Sequence, residues 1–258
     1  MDDAALLSLS ADLARRAGAA IMAIRARGVD GMDVRQKDDA SVVTAADHAA
    51  EAIIAAGLRE AVPDILIVAE EACAGGEVPL PTHTYWLVDP LDGTREFAAL
   101  RDEFTVNIGL VRDGRPVLGI VAAPALGELF GGIVGRGAFK RTAAGEQRIQ
   151  ARPVPADGLA VMASRRSAND PRLIAYLGER QVASVTNIGS SLKFCRLAEG
   201  AADIYPRFGR TMEWDTGAPQ AVLEAAGGHV RTLDGAPLGY GKPGWENPSF
   251  ICTGATTG

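Results

Sequence analysis

The first sixty residues carry apolar side chains at helical spacing. From Ala4 to Arg27 apolar residues recur every three or four positions, with Arg and Asp between them, which predicts a long amphipathic helix ended by Gly28. A second helical pattern begins at Thr44, because a Thr followed three residues later by Asp47 is typical of a helix N-terminus, and it extends to about Ala61. Two helices are therefore predicted before the first buried strand.

Short apolar runs follow, and two of them lead directly into acidic residues. The run at 65–69 has the character of a buried strand and is followed by Glu70 and Glu71. The run at 85–88 has the same character and is followed by Asp89. Both of these predicted strands therefore end in carboxylates.

The segment from Phe104 to Lys140 predicts an antiparallel meander. Apolar runs alternate there with turn signals at Asp113-Gly114 and at Gly131-Gly132. The glycine-rich stretch 131–137 lies between predicted strands and no helix follows it. We therefore expect a hairpin at this stretch rather than a dinucleotide-binding loop.

After Pro153 and Pro155 the pattern changes to strands that alternate with helices. Strands are predicted at 159–163, 182–188 and 202–205, and helices near 171–177, 191–198 and 214–226. The alternation predicts an α/β second half (residues 153–258) after an α+β first half (residues 1–152). We expect the two halves to pack together near residue 152 as a single unit.

Composition and charge exclude several classes of protein. The 258 residues are 47% hydrophobic and 5% aromatic, which indicates a globular protein with an aliphatic core. The formal net charge of −6 argues against binding to polymeric nucleic acid. No uncharged run reaches the roughly 18 residues of a membrane-spanning helix, so no transmembrane segment is expected.

The N-terminus and the cysteines indicate the compartment. Asp2 and Asp3 stand where a secretory signal carries positive charge. The 3 cysteines are odd in number, widely spaced and without a C-x-x-C pair, so neither a disulfide framework nor a zinc site is predicted. We therefore expect a cytoplasmic protein, and peripheral contact with the inner membrane stays open.

The segment from Tyr85 to Phe97 carries the clearest candidate chemistry. A predicted strand delivers Asp89, and Gly93 allows a tight turn after it. Asp89 and Asp92 are therefore expected to face one small space, where two carboxylates repel each other unless a cation lies between them. Oxygen ligands without a neighbouring His or Cys favour Mg²⁺, or Mn²⁺, over Zn²⁺.

The residues after Gly93 can begin a helix, which would bring phosphate to the same space. The backbone N–H groups of Gly93 and Thr94 would then point at phosphate oxygens. The alternative is an ordinary junction between strand and helix in which Asp92 only caps the helix.

The other acidic candidates have structural alternatives as well. Periodicity does not show whether Glu70 or Glu71 points inward. Asp47 is equally explained as part of a capping box with Thr44, and Asp215 as the cap of a helix.

Taken together, three motifs resemble the signature of the lithium-sensitive, magnesium-dependent phosphatases related to inositol monophosphatase. They are Glu70-Glu71, Asp89-Pro90-Leu91-Asp92-Gly93-Thr94 and Trp214-Asp215. Residues 85–97, 103–107, 189–195 and 205–209 are more narrowly similar to the bacterial 3′(2′),5′-bisphosphate nucleotidases. The likeness extends from about Lys37 to Phe250.

The resemblance implies a layered αβαβα sandwich and a site for two or three Mg²⁺ ions, with Mn²⁺ as an alternative. The implied ligands are the carboxylates of Glu70, Asp89, Asp92 and Asp215 and the backbone carbonyl of Leu91. It also implies that Thr94 and Glu70 orient the attacking water. By the same resemblance Asp47 supports Thr94, and Lys37 lies near a third ion.

The resemblance further implies the reaction and its substrate. Those enzymes hydrolyse the 3′-phosphate of adenosine 3′,5′-bisphosphate, a by-product of sulfate assimilation, to give AMP and phosphate. The residues expected to hold this small nucleotide are Gly93, Thr94, Ser190, Ser191, Lys193, Tyr205, Arg207 and Asp215. Lys and Arg suit a second phosphate chemically. The sequence is also compatible with a homodimer.

Two alternatives and four departures from the family pattern accompany this expectation. One alternative is a phosphatase for inositol phosphate, histidinol phosphate or fructose bisphosphate on the same fold. The other is a sensor that binds nucleotide or metal without turnover. Ala40 and Val42 replace the usual Gly and Pro of the first loop, and Arg166 and Ser167 replace the usual Ser and His of another motif.

Overall fold

The computed structural model describes residues 1–37, 41–76, 78–156, 158–165 and 170–255. Three of the four departures named above, Ala40, Arg166 and Ser167, lie outside the described residues.

The two predicted N-terminal helices are confirmed. Helix α1 (Asp3–Arg25) begins at Asp2, whose side chain accepts a hydrogen bond from the backbone N–H of Ala5 at 2.8 Å. Helix α2 (Ala45–Ala61) begins with the predicted capping box at Thr44. The two helices pack against each other and bury their apolar faces against the first sheet.

The first sheet confirms the predicted meander. Its seven strands lie side by side in the order in which they occur along the chain. They are β3 (Leu66–Ala69), β4 (Thr84–Asp92), β5 (Thr105–Arg112), β6 (Arg115–Ala123), β7 (Glu128–Ile133), β8 (Gly137–Thr142) and β9 (Gly145–Ile149). The pair β3 and β4 is parallel, and every later pair is antiparallel. Strands β1 (Arg35–Gln36) and β2 (Val42–Val43) form a separate ribbon, and two short helices, α3 (Glu70–Ala74) and α4 (Thr94–Ala98), follow β3 and β4.

One predicted turn is wrong. Asp113 and Gly114 do form the β5–β6 turn, with positive φ angles of 50° and 71°. Gly131 and Gly132 instead lie inside β7, and the hairpin turns at residues 134–136. These glycines leave room for neighbours, since a Cβ on Gly131 would lie 2.5 Å from the Phe139 ring.

The second sheet shows the predicted alternation of strands and helices. Its strands are β10 (Leu159–Ser164), β11 (Val182–Ile188), β12 (Ile204–Arg207), β13 (His229–Thr232) and β14 (Phe250–Thr253), in the order β11-β10-β12-β14-β13. The helices are α5 (Pro171–Leu177), α6 (Leu192–Ala198) and α7 (Glu213–Ala225). Strand β10 runs parallel to β11 and β12, and β14 runs antiparallel to its neighbours. Strands β13 and β14 have no counterpart in the sequence-based prediction.

The layers form the expected αβαβα sandwich. Helices α1 and α2 cover one face of the seven-stranded sheet, α6 and α7 fill the space between the two sheets, and α5 covers the outer face of the five-stranded sheet. The first sheet ends at Ile149 and the second begins at Leu159. The exact division into halves near residue 152 stays a prediction. None of the described helices is long and apolar enough to cross a membrane.

Glycines let α7 approach the first sheet very closely. A Cβ on Gly109 of β5 would lie 2.6 Å from the backbone nitrogen of Ala218, and a Cβ on Gly119 of β6 would lie 2.2 Å from its carbonyl oxygen. On the facing side, a Cβ on Gly217 would lie 2.7 Å from Leu87. This contact holds the first turn of α7, and with it Asp215, over the end of β4.

Candidate active site

A polar cavity of about 440 Å³ opens where the two halves meet. Every residue predicted to hold metal or substrate lines it: Glu70, Asp89, Leu91, Asp92, Gly93, Thr94, Ser190, Ser191, Lys193, Tyr205, Arg207 and Asp215. The one predicted catalytic residue that does not line the cavity is Asp47, which lies behind Thr94. The fold therefore brings together residues that are up to 145 positions apart in the chain.

A larger cavity of about 640 Å³ lies elsewhere, between α1 and strands β6 to β8. Its charged side chains are paired: Arg15 contacts Asp12 at 2.8 Å, Arg141 contacts Glu146 at 2.6 Å, and Glu128 contacts Lys140 and Arg196 outside the cavity. Since its charges are already neutralised locally, we place the chemistry in the smaller, polar cavity.

Three carboxylates meet at the floor of this cavity. One oxygen each from Glu70, Asp89 and Asp215 lies within 4.8 Å of the other two. Strands β3 and β4 are parallel neighbours, so the residues at their carboxyl ends, Glu70 and Asp89, meet at one edge of the sheet. Asp215 comes from the first turn of α7 above them.

Asp92 lies in the same cavity, but it is not part of this three-carboxylate group. The ladder between β4 and β5 pairs Asp89 with Asn107 and then Asp92 with Thr105, so β4 contains one extra residue there. This bulge turns Asp92 toward the second half, where its carboxylate accepts the backbone N–H of Ser191 and faces Lys193.

Burial and mutual repulsion raise the pKa of the clustered carboxyl groups. The pKa of Asp89 is raised well above its usual value, first because the group is buried and then because Glu70, Asp92 and Asp215 carry like charge. Burial also raises the pKa of Glu70 and of Asp215, and the neighbouring carboxylates add to it. The group is therefore stable as a set of anions only with added positive charge.

The structure distinguishes Glu70 from Glu71, which periodicity could not do. Glu70 lines the cavity, whereas the side chain of Glu71 is buried behind it. Lys37 joins them, with its Nζ 3.1 Å from Glu70 Oε1 and 2.7 Å from Glu71 Oε1. Glu51, which the sequence pattern did not single out, fixes this segment by accepting the backbone N–H of Glu71 at 2.8 Å.

Asp47 combines the two roles that the sequence left as alternatives. Its Oδ2 accepts the backbone N–H of Thr44 at 2.8 Å and the Thr44 hydroxyl at 2.7 Å, which completes the capping box of α2. Its Oδ1 lies 3.0 Å from Thr94 Oγ1, which also lies 3.0 Å from the carbonyl oxygen of Leu91. Burial raises the pKa of Asp47 to about 6.

The second half contributes cations to the other wall of the cavity. The ammonium of Lys193 is buried, bonds to the carbonyl oxygens of Ile188, at 3.4 Å, and of Ser190, and lies 5.2 Å from the centre of the Tyr205 ring. Burial lowers the pKa of Lys193 to about 8 against the opposing charge of Asp92. Arg207 lines the same wall and donates to the carbonyl oxygen of Arg210 at 2.9 Å.

The two predicted serines differ in how they are held. Ser191 is buried, and its hydroxyl donates to Asn107 Oδ1 at 2.8 Å and lies 2.7 Å from Thr105 Oγ1. These contacts fasten the start of α6 to β5. Ser190 has a positive φ of 52°, the left-handed conformation that a non-glycine residue rarely adopts.

One ion pair across the cavity was not anticipated from the sequence. Arg165, after β10, pairs with Glu103, before β5, and so joins the two halves at the cavity rim. The two residues are separated by 62 positions, and no local pattern in the sequence connects them.

Sequence comparisons agree with this geometry. The sequence model of the inositol monophosphatase family matches residues 2–255. The chain is 44% identical over 246 residues to the 3′(2′),5′-bisphosphate nucleotidase CysQ of Escherichia coli (strain K12), with 95% of this chain and 98% of that protein covered. It is 40% identical over 249 residues to the protein of the same name from Buchnera aphidicola subsp. Acyrthosiphon pisum (strain APS), with 96% and 92% covered.

Solved structures agree as well. CysQ from Bacteroides thetaiotaomicron, described as a bacterial member of the inositol monophosphatase family, superposes with a TM-score of 0.81 at 32% identity and 98% coverage of both chains. Inositol monophosphatase from Anabaena (Nostoc) sp. PCC 7120 superposes with a TM-score of 0.76 at 28% identity, covering 98% of this chain and 91% of the other. The chain therefore belongs to the inositol monophosphatase family.

Proposed function

We propose that the protein is a metal-dependent 3′(2′),5′-bisphosphate nucleotidase that hydrolyses the 3′-phosphate of adenosine 3′,5′-bisphosphate to give AMP and phosphate. The observation that carries the proposal is that one cavity has an acidic wall and a basic wall. A group of carboxylates that requires cations faces Lys193 and Arg207 across it. The substrate class is taken from the CysQ relatives, which match nearly the whole chain.

The donor set fits a divalent cation that prefers oxygen ligands. Glu70, Asp89 and Asp215 bring carboxylate oxygens within 4.8 Å of one another. Their raised pKa values indicate that positive charge is needed at this point to keep all three ionised. We therefore propose these three residues, with Asp92 and the Leu91 carbonyl, as ligands for two or three Mg²⁺ ions, with Mn²⁺ as a substitute.

Metal ions in such a site lower the pKa of the attacking water and stabilise negative charge on the leaving oxygen. The chain's own residues orient that water. Thr94 Oγ1 donates a hydrogen bond to the Asp47 carboxylate, which is the stronger of its two acceptors, so a lone pair on Oγ1 is free to accept a hydrogen bond from water. In this arrangement the carboxylate of Glu70 accepts a hydrogen bond from the other O–H of the same water and is placed to take that proton when the water attacks.

The phosphate is held by backbone groups and the rest of the nucleotide by the second half. Gly93, with a φ of 92°, caps the start of α4, so the N–H groups of Gly93 and Thr94 have no acceptor within the helix and can bind phosphate oxygens. Water then attacks phosphorus in line while the bond to the ribose 3′ oxygen breaks. Lys193 and Arg207 are proposed to bind the 5′-phosphate, and Ser190, Ser191 and Tyr205 to line the nucleoside site.

Phosphate release from a panel of substrates tests this function. With Mg²⁺ present, we expect adenosine 3′,5′-bisphosphate to be hydrolysed with a kcat/KM at least about tenfold above those for inositol phosphate, histidinol phosphate and fructose bisphosphate. Only the nucleotide has a 5′-phosphate for Lys193 and Arg207 together with a nucleoside for the second half of the cavity. Millimolar Li⁺ should inhibit the reaction. A preference for any of the other three substrates would overturn the substrate assignment, and no release from any of the four would leave a sensor.

The proposal extends to the setting of the enzyme. We propose a cytoplasmic enzyme that removes a by-product of sulfate assimilation, and a homodimer in solution. Cell fractionation, which also detects peripheral contact with the inner membrane, tests the location. Size-exclusion chromatography with light scattering tests the dimer.

A further inference from the structure

The carboxylate of Asp215 is oriented by a hydrogen bond to the residue that precedes α7. Helix α7 begins after Met212, whose side chain offers no oxygen to cap it. Asp215 Oδ2 instead accepts the backbone N–H of Met212 at 2.9 Å. One of its carboxylate oxygens lies within 4.8 Å of oxygens of Glu70 and Asp89, so the orientation of Asp215 in this group depends on where Met212 is held.

Asn247 holds Met212. The side-chain nitrogen of Asn247 donates to the carbonyl oxygen of Met212 at 2.7 Å and to Thr216 Oγ1 at 3.0 Å. Its backbone N–H donates to the carbonyl oxygen of Thr211 at 2.9 Å. A carbonyl can only accept, so the amide nitrogen of Asn247 must face Met212.

These bonds span the turn that delivers Asp215. Asn247 is 6% exposed, comes from the segment between the second sheet's last two strands, and bonds on both sides of Asp215, at Met212 and at Thr216. Its Oδ1 is buried and has no partner within the described part of the chain. The amide is therefore committed through its nitrogen to the first turn of α7.

We propose that Asn247 is a positioning residue for the metal site and acts through Met212 and Asp215. By fixing the Met212 peptide, it fixes the hydrogen bond that orients the Asp215 carboxylate in the group with Glu70 and Asp89. This inference rests on the proposed function, because it takes Asp215 as a metal ligand. Partners that orient ligands in this way typically change metal affinity by about 10–100-fold when they are removed.

Tyr240 provides a matched comparison in the same buried network. Its hydroxyl donates to Gln220 Oε1 at 2.7 Å and lies 3.1 Å from Thr216 Oγ1, so it shares Thr216 with Asn247 but makes no hydrogen bond to Met212. Tyr240→Phe therefore removes a buried hydrogen-bonding group and should lower the free energy of unfolding by an amount similar to the Asn247 variants. It removes no hydrogen bond of Met212 or Asp215.

The test measures Mn²⁺ binding to the full chain by electron paramagnetic resonance of the free ion, alongside thermal unfolding without metal. Asn247→Ala and the isosteric Asn247→Leu should weaken Mn²⁺ binding about tenfold or more, and raise the Mg²⁺ concentration needed for half-maximal activity by a similar factor. Tyr240→Phe should lower the unfolding temperature comparably and leave Mn²⁺ affinity within about twofold.

Several results would overturn the inference. Asn247 variants that bind Mn²⁺ like the wild type, or a Tyr240→Phe variant that loses as much affinity, would show that Asn247 only supports the fold. Failure of both Asn247 variants to fold would also show that the residue serves the fold. A wild-type protein that binds no Mn²⁺ would overturn the proposed metal site itself, which distinguishes the two failures.

Discussion

At the scale of single residues, this site concentrates charge where the protein interior disfavours it. Asp89 is 1% exposed and has three like-charged neighbours, and Asp47 is equally buried behind Thr94. Such groups destabilise the folded protein while no cation is bound. Their presence is explained by the ligand and not by the fold, so single substitutions separate activity from stability.

Asp89→Asn is expected to abolish most activity and leave the fold intact. The change removes one charge of the proposed metal site without changing core volume, so phosphate release should fall at least about 100-fold. The unfolding temperature without metal should stay equal or rise, because one repelling charge is gone. The matched control is Asp113→Asn, at an exposed turn position with a positive φ of 50° that Asn tolerates. Full activity of Asp89→Asn would remove Asp89 from the mechanism.

Without divalent cations, the protein is expected to be less stable at pH 8 than at pH 5. Burial raises the pKa of Asp47 to about 6 and also raises that of Asp89 and Asp215. These groups keep their protons to higher pH in the folded than in the unfolded protein, so stability is lost as the pH rises through the folded values. Between pH 5 and pH 8 Asp47 alone accounts for about 1 kcal/mol, because only the part of its shift between pH 5 and about 6 lies in this range.

Urea unfolding at both pH values, in chelator and in Mg²⁺, checks this dependence. Saturating Mg²⁺ should remove most of the difference, because the ion stabilises the ionised groups. Equal stability at the two pH values in chelator would contradict the account of the cluster.

At the scale of elements, the apolar period predicts helices and strands correctly where one face is buried. The turn predicted at Gly131 and Gly132 is wrong. Helix α2 begins at its predicted cap, and the β5–β6 turn lies at its predicted Asp113-Gly114 pair. Glycine occurs in turns, but it also occurs where another segment packs closely against the backbone. At Gly131 and Gly132 the close neighbours are Phe139 and α7, which come from other parts of the chain.

Gly119→Ala should destabilise the fold and weaken the site together. The added Cβ would lie 2.2 Å from the carbonyl oxygen of Ala218, so the backbone of α7 must move away from β6. We expect a loss of about 2–3 kcal/mol in urea unfolding. Mn²⁺ binding should weaken as well, since Asp215 moves with α7.

Gly239→Ala is the control for this change. Its added Cβ would have only one neighbour, the carbonyl oxygen of Gly114 at 3.9 Å, so stability and Mn²⁺ binding should stay near the wild-type values. Wild-type stability of Gly119→Ala would contradict the close approach of α7 to the sheet.

At the scale of the whole molecule, the candidate active site depends on how the two halves are placed relative to each other, because both halves line the cavity. Four charged residues form a closed ring between the first sheet and α6: Glu128 and Glu199 each contact Lys140 and Arg196 at 2.6–2.7 Å. The other end of α6 carries Lys193, which faces Asp92. The ring thus holds the cationic wall opposite the carboxylates. An anionic nucleotide therefore meets positive side chains in this cavity although the protein as a whole is acidic.

Arg207→Gln should distinguish a bisphosphate enzyme from a monophosphate enzyme. Loss of one charge-assisted contact to the second phosphate should raise KM for adenosine 3′,5′-bisphosphate about tenfold or more, and change KM for inositol phosphate less than about twofold. Arg141→Gln, an exposed and remote position, is the control. Equal losses on both substrates would favour the phosphatase for small monophosphates.

The sequence by itself determined the helices, most strands and the identity of the candidate groups, because these depend on local period, capping and motif spacing. Local periodicity left Glu70 and Glu71 open, the family resemblance favoured Glu70, and the tertiary structure places Glu70 at the cavity. Only the tertiary structure decided that a bulge in β4 separates Asp92 from Asp89, and that Asn247 reaches the turn before Asp215. Each of these depends on contacts between segments far apart in the chain, and packing against other segments leaves no local pattern to read.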